Sequence, residues 1–362
     1  MTKINIDELF RKRPLIIAGP CSAETEEQVL GTAKLLAESK KVDMFRAGIW
    51  KPRTRPGSFE GIGIEGLPWL QKVREQTGLP FCVEVATTKQ AELALAFSPD
   101  MLWIGARTTA SPVTVQEIAD ALKGTDTYVL IKNPINPELE LWTGALERML
   151  RSGIKNVGLI HRGFSVYGNM EYRYAPMWHL AIEMRRRNPD VLMICDPTHI
   201  SGKRDLIQSV SQHAIDLDFD GLMIESHIDP DCALTDKNQQ ITPGRLNEIL
   251  NSLIWRKEKS TEPQQNLALQ QLRSQIDQID DELLQLLGRR MSVADKIGLF
   301  KKENNITILQ PERWNEILEK EIDKGAKLGL SPEFIKSYLE AVHGESINRQ
   351  NSVIYEGKTG NK

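Results

Sequence analysis

Between residue 14 and about residue 255 the sequence alternates eight times between a short apolar run and an amphipathic helical stretch. The runs are 14–20, 44–48, 80–85, 101–106, 127–132, 156–160, 191–195 and 221–224. Helical periodicity fills 24–39, 67–76, 90–97, 114–122, 137–151, 175–187, 203–214 and 243–255, the last opening with Pro243 after Thr242. Runs of continuous Val, Ile, Leu and Met, without polar alternation, belong to strands covered on both faces, as parallel strands are. Eight such units predict an α/β fold, a (β/α)8 TIM barrel. A doubly wound open sheet is the alternative, but the first strand-to-helix turn lacks the GxGxxG fingerprint of its nucleotide-binding form.

After residue 255 the character changes. Residues 256–266 (RKEKSTEPQQN) are polar, contain a proline and read as a linker. Beyond them Leu269, Leu272, Ile276, Ile279, Leu283, Leu286, Arg290, Val293, Ile297 and Phe300 recur in steps of three and four. This is an a/d seam over about four heptads, on a helix of roughly 35–40 residues. Two short partners cannot cover so long a seam, which predicts an intersubunit bundle. Two more helices, 311–327 and 332–350, each start at a proline. The expected domains are therefore 1–255 and 267–355, with 256–266 as linker and 356–362 as a disordered tail.

At 362 residues the chain suits two domains, and 40% hydrophobic with 26% charged residues fits a globular protein. A net charge of −3 without like-charge blocks argues against a nucleic-acid partner. No apolar run approaches the roughly 18–20 residues that span a membrane, and the N-terminus lacks the apolar core of a signal peptide. The four cysteines show no CxxC spacing, so reduced thiols in the cytoplasm are expected.

Barrel chemistry lies at the C-terminal ends of the strands. Those ends carry Cys21; Arg46 with Lys51 and Arg53; Glu84; Arg107; Lys132; Arg162; Asp196 with His199; and Glu225, with His227 and Asp236 in the loop beyond. Cys21, His199, Glu225 and Asp236 come from strands 7, 8 and 1, which neighbour one another once a barrel closes. Each alone has an ordinary structural explanation. Together they form a mixed thiol, imidazole and carboxylate set suited to a divalent transition metal, whose identity hard and soft ligands leave open. Arg46, Lys51, Arg53, Arg107, Lys132 and Arg162 put six cations around one mouth. Arginine forks bind phosphate and carboxylate bidentately, so more than one anionic group is expected.

Ala18-Gly-Pro-Cys21, Lys51-Pro-Arg-Thr54, Ile104-Gly-Ala-Arg107, Ile131-Lys132, Asp196-Pro-Thr-His199, Ile224-Glu225-Ser-His227 and Ala233-Leu-Thr-Asp236 resemble the type Iβ 3-deoxy-D-arabino-heptulosonate 7-phosphate (DAHP) synthases, in consistent order from about residue 14 to 250. The resemblance implies condensation of phosphoenolpyruvate with erythrose 4-phosphate. It gives Cys21, His199, Glu225 and Asp236 a divalent metal, with Mn2+ the first choice. It gives Arg46, Lys51, Arg107, Lys132 and Arg162 phosphoenolpyruvate, with Lys132 also a proton donor or acceptor. Arg53 and Thr54 match the site for the phosphate of erythrose 4-phosphate. The related 8-phosphate synthases of the octulosonate sugar carry an Asn-containing loop in place of Lys-Pro-Arg-Thr, so Pro52-Arg53 argue for the four-carbon sugar. His161 stands where the family usually has Glu before the Arg, and the resemblance implies that losing this Glu weakens a water-activating or positioning contact. Asn133-Pro134 stand where Arg-Gly is commoner.

In the helical segment, Arg290 interrupts the apolar seam and Lys301 shares its face to within roughly 20°, which is expensive unless an anion or a partner is present. A register-setting polar residue is the other reading. Ser346 and Gln350 add a polar face on the last helix. Leu272-Arg273, Asp280, Leu286-Leu287, Arg290, Lys301, Arg313, Ser346 and Gln350 resemble, in spacing, the all-α (AroQ-class) chorismate mutases, three-helix chains that intertwine as dimers. The resemblance implies rearrangement of chorismate to prephenate. Carboxylates would be held by Arg273 from the partner chain, Arg290, Arg313 and Ser346, with Lys301 and Gln350 at the ether oxygen. Gln310 and Trp314 stand where relatives often have acids. The expectation is a bifunctional shikimate-pathway enzyme, a homodimer through its helical domain, with prephenate or chorismate inhibiting the synthase. The alternative is the same barrel with a non-catalytic helical module that dimerises and senses ligand.

Overall fold

The computed structural model describes Glu8 and residues 14–52, 57–168, 171–256 and 262–355. The chain divides into two compact units, Met1–Glu258 and Lys259–Lys362.

In the first unit eight parallel strands close into a barrel in sequence order. They are β1 (Leu15–Gly19), β2 (Met44–Arg46), β3 (Phe81–Val85), β4 (Met101–Ile104), β5 (Tyr128–Lys132), β6 (Val157–His161), β7 (Leu192–Cys195) and β8 (Gly221–Glu225). Closure is the β1–β8 pairing, with Leu15 opposite Gly221 and Gly19 opposite Glu225. Alternate residues fill two separate cores, as the period of two requires. Leu15, Ile17, Met44, Trp103, Leu130, Ile160 and Met223 pack inside the barrel. Ile16, Ala18, Phe45, Val83, Ile131, Leu159 and Ile224 pack outward against the helices.

Around the barrel lie α1 (Glu26–Glu38), α2 (Gly66–Thr77), α3 (Thr88–Leu95), α4 (Ala106–Thr109), α5 (Pro112–Ala121), α6 (Leu139–Arg151), α7 (Trp178–Arg187), α8 (Pro197–Ser201), α9 (Ile207–Asp216) and α10 (Pro243–Ser252). Several start where the sequence places a capping hydroxyl. Thr25, Thr87, Ser111 and Thr242 each accept from the backbone N–H three residues on, satisfying a donor that the first turn leaves free. Of the boundaries that differ from expectation, two bear on the site. Helix α7 begins at Trp178 rather than 175, because Ala175 pairs antiparallel with Phe164 and Pro176 has no N–H to donate. Strand β6 runs one residue further than expected and includes His161.

The second unit consists of α11 (Pro263–Glu303), α12 (Pro311–Lys327) and α13 (Pro332–Tyr355). Helix α11 has 41 residues, roughly 60 Å at 1.5 Å per residue. It starts at Pro263, inside the stretch expected as linker. Proline at its first turn loses no helical hydrogen bond and presets the helical φ. Residues 257–261 of that linker and the expected tail 356–362 lie outside the described residues. Helix α13 packs on the C-terminal part of α11, where Gly298 lets the Gln350 backbone approach to contact distance. The N-terminal part of the seam faces solvent in the single chain, with Leu272, Ile276 and Ile279 each more than half exposed.

Candidate functional site

The tops of β1 and β2 are drawn together by Gly19, whose φ is +152° and where a Cβ would stand 2.1 Å from the Arg46 carbonyl oxygen. The chain beyond is held at the rim. Gly48 N–H and Lys51 Nζ donate to the Cys21 carbonyl at 3.2 and 3.1 Å, and Cys21 N–H donates to Gln240 Oε1 at 2.9 Å. On the opposite side Asp196 caps the short α8. Its Oδ1 accepts from His199 N–H at 3.1 Å and from Thr198 Oγ1 at 2.7 Å. Its Oδ2 stands 2.7 Å from Lys132 Nζ and 2.8 Å from His199 Nδ1. Fixing Nδ1 against a carboxylate turns Nε2 inward, 3.7 Å from Glu225 Oε1.

Cys21, Glu225 and Asp236 place ligand atoms within 4.8 Å of one another, and Cys21 Sγ is 3.4 Å from Asp236 Oδ2. His199 joins this group through Glu225, so the four residues expected to ligate a metal converge. Burial and then the Glu225 charge push the Cys21 thiol up to about 12. Burial would also raise Asp236, but His199, Arg173 and Lys51 hold it below the carboxylate range. The site thus offers one thiol, one imidazole and two carboxylates held ionised by the cations around them, and as thiolate, imidazole and carboxylates this donor set fits a divalent ion.

The cations form the adjoining wall. Arg46 is fully buried over the Trp103 ring, 4.9 Å from its centroid, with Nη2 3.3 Å from Glu225 Oε1. Its Nε and Nη1 have no hydrogen-bond partner among the described residues. Lys51, Arg107, Lys132 and Arg162 line one cleft together with His199 and Asp236. Lys51 Nζ is 3.6 Å from Glu84 Oε2, and Arg162 stacks 3.5 Å over the Tyr174 ring. Arg53 and Thr54, expected at the second phosphate, lie outside the described residues.

His161 is not in this cleft. As the last residue of β6 it follows the inward Ile160 and so points out of the barrel, among Trp142, Phe164, Trp178 and Phe219 at centroid distances of 5.1–6.4 Å. Burial pushes its imidazole down to about 3, so it is neutral. The expectation that this position touches the chemistry is corrected accordingly. Asn133 bridges β5 to β6, its Oδ1 accepting from Arg162 N–H at 2.7 Å and its Nδ2 donating to Gly163 O at 2.9 Å. Sequence reasoning placed Asp196 at a strand end without a role and left Arg173, Tyr174 and Gln239 out of the site. Asp196 was legible as the first residue of Asp-Pro-Thr-His. Arg173 and Tyr174 stand in an aperiodic loop that carries no such signal.

In the helical unit Arg290 Nη1 donates to Ser346 Oγ and, at 3.5 Å, to Val342 O. Lys301 Nζ donates to Ile308 O at 2.6 Å, and Gln350 is buried with no partner for Oε1 among the described residues. Lys301, Phe300, Ile297 and Gln310 line a hollow beside them. Trp314 stacks on His343 at 4.1 Å. Arg313 instead pairs with Glu316 at 2.9 Å on an exposed turn. Arg273 is exposed on α11, roughly 25 Å along the axis from Arg290, and cannot reach it within one chain.

Residues 10–262 match the family model of the DAHP synthetase I family, and residues 272–351 match that of chorismate mutase type II. A phospho-2-dehydro-3-deoxyheptonate aldolase of Thermotoga maritima is 29% identical, over 66% of this chain and 68% of that protein. A 2-dehydro-3-deoxyphosphooctonate aldolase of Helicobacter pylori is 30% identical, over 67% of this chain and 95% of that protein. The crystal structure of the Thermotoga maritima DAHP synthase superposes with a TM-score of 0.59 at 27% identity, over 66% of this chain and 67% of that one. A truncated form of the Thermotoga maritima synthase gives 0.57 at 25% identity, over 66% and 84%.

Proposed function

This chain belongs to the DAHP synthetase I family, and we propose that its barrel condenses phosphoenolpyruvate with D-erythrose 4-phosphate to DAHP and phosphate, while its helical unit rearranges chorismate to prephenate. The observation that carries the first reading is the convergence of Cys21, His199, Glu225 and Asp236 beside a buried guanidinium with two nitrogens unpartnered among the described residues. A divalent ion held by those four, Mn2+ being the first choice, would act as a Lewis acid toward the aldehyde.

The residues of the chain do the rest. Arg46, Lys51, Arg107, Lys132 and Arg162 bind the carboxylate and phosphate of phosphoenolpyruvate, and their rigid placement aligns its methylene carbon with the aldehyde carbon. The new C–C bond forms between those two carbons. Water adds at the enol carbon, and phosphate leaves with cleavage of its C–O bond. Lys132, held by Asp196 at 2.7 Å, is placed to give or take a proton. Arg53 and Thr54 take the sugar phosphate.

Relatives of similar identity carry two different names, so the aldehyde is the point to test. Pro52 at the cleft, followed by Arg53, supports the four-carbon sugar. Chelator-stripped enzyme with Mn2+ restored should consume phosphoenolpyruvate with erythrose 4-phosphate and not with arabinose 5-phosphate. The reverse preference would overturn the assignment.

For the helical unit, Arg290 with Ser346, and Lys301 with Gln350, supply donors for a dicarboxylate and for an ether oxygen. The exposed apolar seam of α11 supports a homodimer in which the partner's copy of Arg273 completes each site. Prephenate bound there inhibits the barrel in this reading, and equal synthase rates with and without saturating prephenate would remove that part. Trp314 and Gln310, in place of acids, favour the second reading of a ligand-sensing module without turnover. Arg290→Ala separates the two, because only a catalytic domain has mutase activity to lose. The cytoplasm is the proposed location; among the described residues no helix is long and apolar enough to cross a membrane.

A further inference from the structure

Both carboxylates of the cation site are gripped from behind by one loop residue. Arg173 Nη1 donates to Asp236 Oδ1 at 3.0 Å and to Gln239 Oε1 at 2.6 Å. Gln239 passes the contact on, its Nε2 donating to Glu225 Oε2 at 2.7 Å. Each carboxylate thus spends one oxygen on this relay and turns the other inward. Asp236 Oδ2 faces Cys21 Sγ at 3.4 Å and Glu225 Oε1 faces His199 Nε2 at 3.7 Å.

The backbone is shaped for the same end. Asp236 adopts φ +47°, a left-handed conformation that costs energy in a residue with a Cβ and aims its side chain. Arg173 and Tyr174 N–H groups donate to Ser201 O and Ile200 O at 3.3 and 3.2 Å, which docks their loop on α8, the helix that carries His199. Gly202 closes α8 at φ +64°, and a Cβ there would stand 2.4 Å from the Cβ of Arg173. The glycine is therefore also the seat of the arginine side chain.

We propose that Arg173, acting through Asp236 directly and through Gln239 on Glu225, is the positioning residue that presets both carboxylates for a divalent cation. This rests on reading Cys21, His199, Glu225 and Asp236 as the cation site. A guanidinium suits the task because one nitrogen, Nη1, carries two N–H donors in a rigid plane and so meets both acceptors, whereas a lysine ammonium sits on a flexible stem. Partners behind metal ligands of this kind typically change affinity 10–100-fold when removed.

The test is titration of Co2+ into the chelator-stripped full chain, followed by thiolate-to-cobalt absorption and by calorimetry. Wild type, Arg173→Lys, Arg173→Gln and Gln239→Met are compared, with the unfolding midpoint of each cation-free protein as control. The expected result is that Arg173→Gln loses about 10-fold or more in Co2+ affinity. Arg173→Lys recovers part of the loss, and the cysteine-to-cobalt band persists at saturation in both. Wild-type affinity in Arg173→Gln, even with a lowered unfolding midpoint, would reduce the residue to a structural one and overturn the proposal. Should Arg173→Gln fail to fold, Gln239→Met decides, with weakened or unchanged affinity read the same way. Absence of Co2+ binding by wild type would overturn the cation-site reading itself, a distinguishable failure.

Discussion

Lys132 Nζ and Asp196 Oδ2 meet at 2.7 Å between the ends of β5 and β7, with side-chain exposures of 6% and 0%. Burial works against the charge on Asp196, yet His199 and Lys132 hold it well below the usual carboxylate range. Removing one member of a buried pair strands the other, at a cost of roughly 3–5 kcal/mol. Asp196→Asn should therefore destabilise the barrel by about 3 kcal/mol in urea unfolding. Lys132→Met should lower synthase turnover on the order of 10²–10⁴-fold, as loss of a positioned proton-transfer group does. A turnover loss below about threefold would remove Lys132 from the chemistry.

His161 supplies a pH prediction of known sign. Its folded value lies near 3, because burial among aromatic rings disfavours the imidazolium, against an unfolded value of 6.5. A histidine depressed in the folded state contributes stability that is complete above about 6.5 and is lost as pH falls from there toward 3. Between pH 7 and pH 5 this one group should cost about 2 kcal/mol. Urea unfolding of wild type and His161→Phe at both pH values measures it. The phenylalanine fits the aromatic enclosure and should lose less stability on acidification by that amount. Equal pH dependence in both proteins would show that the ring is not held neutral.

Removal of the cation should be visible in stability as well as in rate. A ligand that binds only the folded chain adds about 2.7 kcal/mol at a hundredfold excess over its dissociation constant. Thermal unfolding of chelator-stripped protein should thus shift upward with added Mn2+, and Cys21→Ala should abolish most of the shift. A shift of full size in Cys21→Ala would exclude the thiol from the site.

The seam of α11 leaves Leu272, Ile276 and Ile279 at 58%, 58% and 55% exposure in one chain. Covering such side chains contributes about 1.5–3 kcal/mol each. Ile276→Asp with Ile279→Asp should therefore weaken self-association by at least 10²-fold in sedimentation equilibrium. If the proposed dimer holds, with Arg273 completing a partner's site, mutase turnover should fall in parallel. A variant that remains as tightly associated as wild type would mean that another face makes the contact.

What local sequence determined was whatever depends on a period. The eight apolar runs could be read as buried parallel strands, and the steps of three and four between Leu269 and Phe300 as one long seam, because pleat and helix repeat over short distances. The convergence of Cys21, Glu225 and Asp236, with His199 beside Glu225, was legible for a related reason. A closed parallel barrel brings all its strand ends to one rim, so Cys21, His199, Glu225 and Asp236 had to come close once the topology was known.

Tertiary structure decided what depends on direction and on contacts distant in sequence. His161 was expected beside the chemistry, but one further residue of β6 set its parity and turned it into the helix layer. Nothing in the 162–177 loop announced that Arg173 would reach Asp236, since no periodicity governs an irregular segment and the contact exists only when α8 supplies Gly202 as its seat. The pairing of Lys132 with Asp196 likewise appeared only when β5 and β7 took their places around the closed rim. Periodic backbone order is written locally, whereas the aim of a single polar side chain is settled by the few neighbours that the closed barrel brings to it.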